Sequence, residues 1–189
     1  MLKHGIRTIY LAAGRAYILL RAIVKQIRQK MSQIERIKRV LMLDRKVYKE
    51  IRDDSGSMAP ALTVMVVSIL IGSIRTLIEM PQGGIITLMS LVLLWFVPSS
   101  FFHVLSKLAG GRSDYGGYLR ATGYAQIPMA ANIIPSIGWP LALSWWLVCM
   151  TVATRQAQEL SKRRAVLVVF IPFVLTAVLI SAMIASEAI

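Results

Sequence analysis

His4 and His103 are the only histidines in the chain, and Cys149 is the only cysteine. A metal centre needs His, Cys or carboxylate side chains grouped at ligand spacing, and neither histidine has such neighbours. No spacing marks a Ser–His–Asp set for nucleophilic catalysis. His103 falls near the inner end of an apolar stretch and is read as a helix-end imidazole bonded to a carbonyl. The run GGRSDYGG, Gly110–Gly117, has the glycines of a phosphate cradle. It lacks the Lys-Ser/Thr ending and a preceding strand, so it reads as a flexible loop. Asp53 and Asp54, ahead of Ser55, Gly56 and Ser57, read as a local cap or turn. These residues point away from an enzyme, and no metal or cofactor is expected. A single cysteine also precludes an internal disulfide.

The polar chemistry that remains lies in one apolar stretch, RATGYAQIPMAANIIPSIGWP, from Arg120 to Pro140. Tyr124, Gln126 and Asn132 are its polar side chains, and Pro128, Pro135 and Pro140 interrupt it. Two roles suit them. They can hydrogen-bond between helices, or they can line a small site at a break, as discontinuous helices do in transporters. Trp145 and Trp146 follow, with packing against other helices or lipid as the expected role, or contact with a hydrophobic ligand as the sharper one. Trp139 suits an interfacial anchor.

The elements that must carry these residues are apolar. Of 189 residues 56% are hydrophobic and 16% charged, with a mean hydropathy of +0.63. Soluble domains are nearer 45–50% apolar and about 25% charged. A bilayer core about 30 Å thick takes about 20 helical residues. Five segments suit that length: about 59–78, 85–105, 119–137, 139–158 and 165–185. The third is expected to bend near Pro128, with PSIGWP turning the chain into the fourth. The sequence therefore predicts an all-α polytopic membrane protein, a bundle of five transmembrane helices. Its spans lack a central Asp or Glu for a cation or proton path.

Charge orients this bundle. The net charge is +13, yet its distribution argues against nucleic acid as partner. Residues 1–57 hold fourteen Lys and Arg against five acids. With five spans and the amino terminus inside, every one of the 22 Lys and Arg except Arg75 falls on the cytoplasmic side, as the positive-inside rule requires. The carboxyl terminus then lies outside.

The arm ahead of the spans, residues 1–46, reads as a basic amphipathic helix, with 47–189 as the membrane domain. Ile6, Tyr10, Ala13, Tyr17, Leu20, Val24, Ile27, Met31, Ile34 and Leu41 recur at steps of three and four, broken only at Lys38. Arg7, Arg21, Lys25 and Arg28 lie off this stripe. The arm can rest in the cytoplasmic interface with its cations on anionic headgroups. It can also form a coiled-coil seam with a partner, or be a solvated flank. Arg7, Tyr10, Tyr17, Arg21, Lys25 and Arg28 are the candidate docking residues for lipid or partner.

Gly123, Tyr124 and Pro128 form Gly-Tyr-x-x-x-Pro at the start of a middle span. VYKEIRDDSGSMAPAL leads into the first span and LSKRRAVLVV into the last. In these features the chain resembles the Yip-domain family of five-span membrane proteins over about Val47 to Ala185. It lacks that family's Asp-Leu-x-Gly-Pro-like order before the first span, and its arm is basic. It is thus similar to a compact prokaryotic member, and the Rab-type GTPase binding of eukaryotic members is not carried over. The resemblance implies an integral protein of a prokaryotic cytoplasmic membrane. Residues and resemblance together lead to a non-enzymatic scaffold or accessory subunit packing against other integral membrane proteins. The alternatives are a membrane-shaping or trafficking-type protein acting on lipids, and a small transporter using the proline break.

Overall fold

The computed structural model describes residues 32–79 and 84–187. The candidate docking residues Arg7, Tyr10, Tyr17, Arg21, Lys25 and Arg28 lie outside them. Two compact units divide between Lys38 and Arg39. Within the first, 32–38 is helical, part of helix α1 (32–41). The second unit, from Arg39 onward, contains α2 (Arg45–Asp53), α3 (Met58–Glu79), α4 (Gly84–Leu108), α5 (Tyr115–Tyr124), α6 (Gly138–Ala157) and α7 (Lys162–Glu187). The described residues are all-α, with 3-10 turns at Ser55–Ser57 and Ile127–Ile133.

α1 stops at residue 41, and Leu43 adopts a left-handed φ of 59°. Asp44 then caps α2, its side chain accepting from the Lys46 amide. A boundary at 46/47 therefore falls inside α2, whose buried residues Val47, Tyr48 and Ile51 belong to the body.

α3, α4, α6 and α7 have 22, 25, 20 and 26 residues, so each is about 30–39 Å long at 1.5 Å per residue. Among the described residues, one helical run, Ser55–Glu79, is long and apolar enough by composition to cross a bilayer. Its outward face carries Val67, Ile71, Ile74 and Ile78, all exposed, at helical spacing.

The stretch 119–137 is not one bent helix. α5 ends at Tyr124, and a 3-10 segment runs from Ile127 to Ile133. In a continuing α-helix the Pro128 ring would meet the Tyr124 carbonyl one turn back, and Ile127 would be forced into a disfavoured conformation. The chain stops the α-helix at the residue whose carbonyl would clash. Pro128 then occupies the first turn of the 3-10 segment, where a missing donor costs little. The tighter helix rises about 2 Å per residue, so α5 and the 3-10 segment together still cover roughly the thickness of a hydrocarbon core.

Contacts give the directions. Gly123 lies against Ala61, and Met129 against Gly72, so the broken segment runs parallel to α3. Tyr118 bonds Thr154, Gln126 bonds Trp146, and Gly138 abuts Ala131, so α6 runs back against it. Gly72 is needed for this approach: a Cβ there would collide with the Met129 carbonyl. Replacing Gly72 by Ala should lower unfolding stability in detergent by about 1–3 kcal/mol, the usual cost of overpacking. Gly56→Ala, whose added carbon would meet only the Asp54 side chain at 3.3 Å, should stay within about 0.5 kcal/mol. Equal thermal midpoints for the two variants would contradict the close backbone approach.

Candidate functional site

One end of the body is built from the segments before α3, between α4 and α5, and between α6 and α7. α2 packs on α5 and α6, burying Val47, Tyr48 and Ile51 completely. Arg52, in its last turn, ties α2 to α5, to the end of α6 and to the loop before α7. Its guanidinium donates to the Ala157 carbonyl at 3.1 Å, to Glu159 Oε1 at 2.9 Å and to Asp53 Oδ1 at 2.7 Å. Its own carbonyl accepts from Arg120 Nε at 3.2 Å. Gly117 leaves the passage: a Cβ there would stand 2.9 Å from Arg52 Cγ. Hydrogen bonds from Arg52 hold both Asp53 and Glu159 below their ordinary carboxylate range. Arg39 secures the start of this layer, with ion pairs to Asp44 and Glu50 at 2.7 Å each.

In the sequence Arg52 and Arg120 carry only the mark of cytoplasmic charges; their joining role emerges in the fold. A signal existed in Glu159, the only acid between Asp114 and Glu187. A lone carboxylate in a basic loop needs a partner.

Beneath Arg52 lies a buried polar cluster. Gln158 Oε1 accepts from the Ser113 amide at 3.1 Å, and its Nε2 contacts His103 Nδ1 at 2.9 Å. Because Gln158 Oε1 already serves a donor, its Nε2 donates to His103, which fixes His103 Nδ1 as acceptor. His103 is therefore bonded to a side-chain amide, not to a carbonyl as expected. The glycine-rich run is likewise ordered rather than a flexible loop. Gly110 takes a φ of 92°, and Asp114 caps α5, so Tyr115, Gly116 and Gly117 form its first turn. A Cβ at Gly111 would stand 2.5 Å from Gln158 Oε1. Asp54 caps the turn at Ser55–Ser57, accepting from the Gly56 amide and the Ser57 hydroxyl.

The family-motif residues sit deeper, and all have packing roles. Gly123 lets α5 approach Ala61, where a Cβ would find atoms at 3.1 Å. Tyr124 is fully buried, and Pro128 is buried at the break. Gln126 and Asn132 hydrogen-bond to other helices, Gln126 Oε1 from Trp146 Nε1 at 2.9 Å and Asn132 Nδ2 to the Gly72 carbonyl at 3.1 Å.

The same residues open a cavity. A space of about 710 Å³ lies between α3, α4, the 3-10 segment, α6 and α7. That is within the roughly 300–1,000 Å³ of small-molecule sites. Trp95, Phe102, Trp146 and Phe173 give it aromatic walls, and Gln126 and Asn132 supply polar groups. No Lys, Arg, Asp, Glu or His lines it among the described residues.

The joint at Arg52 has a definite pH dependence. Glu159 has a folded-state pKa below its ordinary 4.5. Its contribution is thus complete above about pH 4.5 and fades as pH falls through the lower folded value. Thermal unfolding in detergent should show the gap between a Glu159→Gln variant and the parent largest near pH 7 and shrinking as pH falls below 4.5. A gap that widens with acid would refute the pairing.

No curated protein and no solved structure matches the chain. The Yip1 domain matches residues 38–183, a range that starts one residue before the body and takes in the break and the joint at Arg52. The chain belongs to the Yip1 domain family and is, with it, a helical integral membrane protein.

Proposed function

We propose that this chain is a non-catalytic membrane scaffold or accessory subunit. It crosses the bilayer five times, with its amino terminus in the cytoplasm and its carboxyl terminus outside. The observation that carries this reading is the Arg52 joint. Three segments that the charge distribution assigns to the cytoplasm meet there in one hydrogen-bonded layer. The parallel run of α3 and the broken segment, with α6 antiparallel to both, supports the same threading. In lipid the exposed stripe of α3 and Phe170, Ile171, Val174 and Val178 of α7 face acyl chains or the spans of neighbouring proteins. In water such apolar surface would be a liability.

In this reading the basic arm lies on anionic headgroups of the cytoplasmic leaflet, each Lys or Arg contributing about 1 kcal/mol near the surface. Other integral membrane proteins are the partners of the body. The localisation is a prokaryotic cytoplasmic membrane. A lipid-remodelling role remains the second reading, favoured by the density of cations in residues 1–30.

Tags at the two termini, probed with an impermeant label on intact cells, should react only at the carboxyl end. Labelling of both ends or neither would defeat the five-span arrangement. Removing residues 1–38 keeps the ion pairs of Arg39 with Asp44 and Glu50. It should leave the body folded but reduce co-purification of partners in mild detergent. Undiminished co-purification would defeat the arm as a docking device. Curvature-dependent binding of the full chain's arm to anionic vesicles, without loss of partners on truncation, would favour lipid remodelling.

A further inference from the structure

We infer that the cavity is a binding site for a lipophilic quinone, an uncharged conjugated ring with carbonyl acceptors and a hydrocarbon tail. The inference rests on the spanning arrangement proposed above and concerns binding alone.

The hydrogen bonds at the wall decide the chemistry. An indole N–H can only donate, so the bond from Trp146 requires Gln126 to present Oε1 to it. The amide Nε2 is thereby committed to the other side as a donor. Gln126 is 8% exposed and lines the cavity. A buried amide donor in a largely apolar wall favours a guest with an acceptor oxygen, since surrounding lipid offers none. The lack of charged lining groups among the described residues favours a neutral one. The Trp and Phe side chains of the wall suit a flat conjugated ring.

Depth separates a quinone from a glycerolipid ester. Gln126 lies between Gly123, which abuts Ala61, and Met129, which abuts Gly72. It is therefore level with the middle part of α3, far from either end. A glycerolipid keeps its ester carbonyls near the headgroups and could reach Gln126 only by drawing a polar head into hydrocarbon, at high cost. A quinone carries no such head and reaches that depth freely.

The test uses the full chain in nanodiscs, with a benzoquinone bearing a ten-carbon tail as probe and tryptophan fluorescence quenching as readout. The expected result is saturable quenching. Gln126→Met should weaken it about tenfold, as loss of one buried hydrogen bond predicts. Ser73→Phe, at a half-buried position of the wall, should abolish saturation by filling the space without removing a donor. Unfolding curves of both variants establish that they fold, and either one suffices. Linear quenching equal in parent and Ser73→Phe means partition into lipid and overturns the site. Displacement of the probe by a long-chain fatty acid methyl ester at equal concentration assigns the cavity to acyl chains and overturns the quinone. Terminal labelling of the same nanodisc sample reports threading separately, so loss of binding in a correctly threaded chain defeats this inference alone.

Discussion

Pro128 cannot extend the helix that α5 begins, and most of the body follows from that constraint. The chain must leave α-helical geometry at Tyr124. Backbone groups released there need partners, because hydrocarbon supplies none. The 3-10 segment answers by hydrogen bonding within itself and by lying against α3 and α6. That approach requires small residues on the facing elements. Gly72 and Gly138 provide them, and an added Cβ at either would enter backbone carbonyls of the segment.

The break also creates the cavity. A regular helix would present side chains every turn along its whole length. The break instead turns Gln126, just ahead of the 3-10 segment, and Met129 and Asn132 within it toward a space shared with α4, α6 and α7. Two of these residues hold the segment in place through bonds to Trp146 and to the Gly72 carbonyl. Structural anchoring and a polar cavity wall are therefore properties of the same amides. The two roles assigned to them from sequence, interhelical bonding and lining of a site, are not exclusive.

At the other level of the body, Arg52 acts as the break does not, by charge. Its five-donor fork serves a carbonyl at the end of α6, a carboxylate in the next turn and its own neighbour. Partly exposed ion pairs contribute little individually. The importance of this one lies in geometry: it ties the segment preceding α3 to the loop preceding α7, far apart in sequence. α2 is thus a member of the bundle rather than part of the arm.

Some of this was written in the chain. The run of apolar segments, the placement of cations and the Gly-Tyr-x-x-x-Pro motif determined an all-α membrane body of the Yip1 domain family. They do so because burial in lipid selects residue types irrespective of partners. Pro128 marked the place of the break, since its ring geometry is local. The form of the break was not legible. Whether a proline bends a helix or ends it depends on what satisfies the freed backbone, and only α3 and α6 decided that. Likewise GGRSDYGG gave no sign of order, because its packing depends on Gln158 and Arg52, more than 40 and 50 residues away. His103 found an amide rather than a carbonyl for the same reason. Composition and local sterics belong to the sequence; the pairing of Arg52 with Glu159, the fit of Met129 over Gly72 and the cavity beside Gln126 exist only once distant segments are brought together.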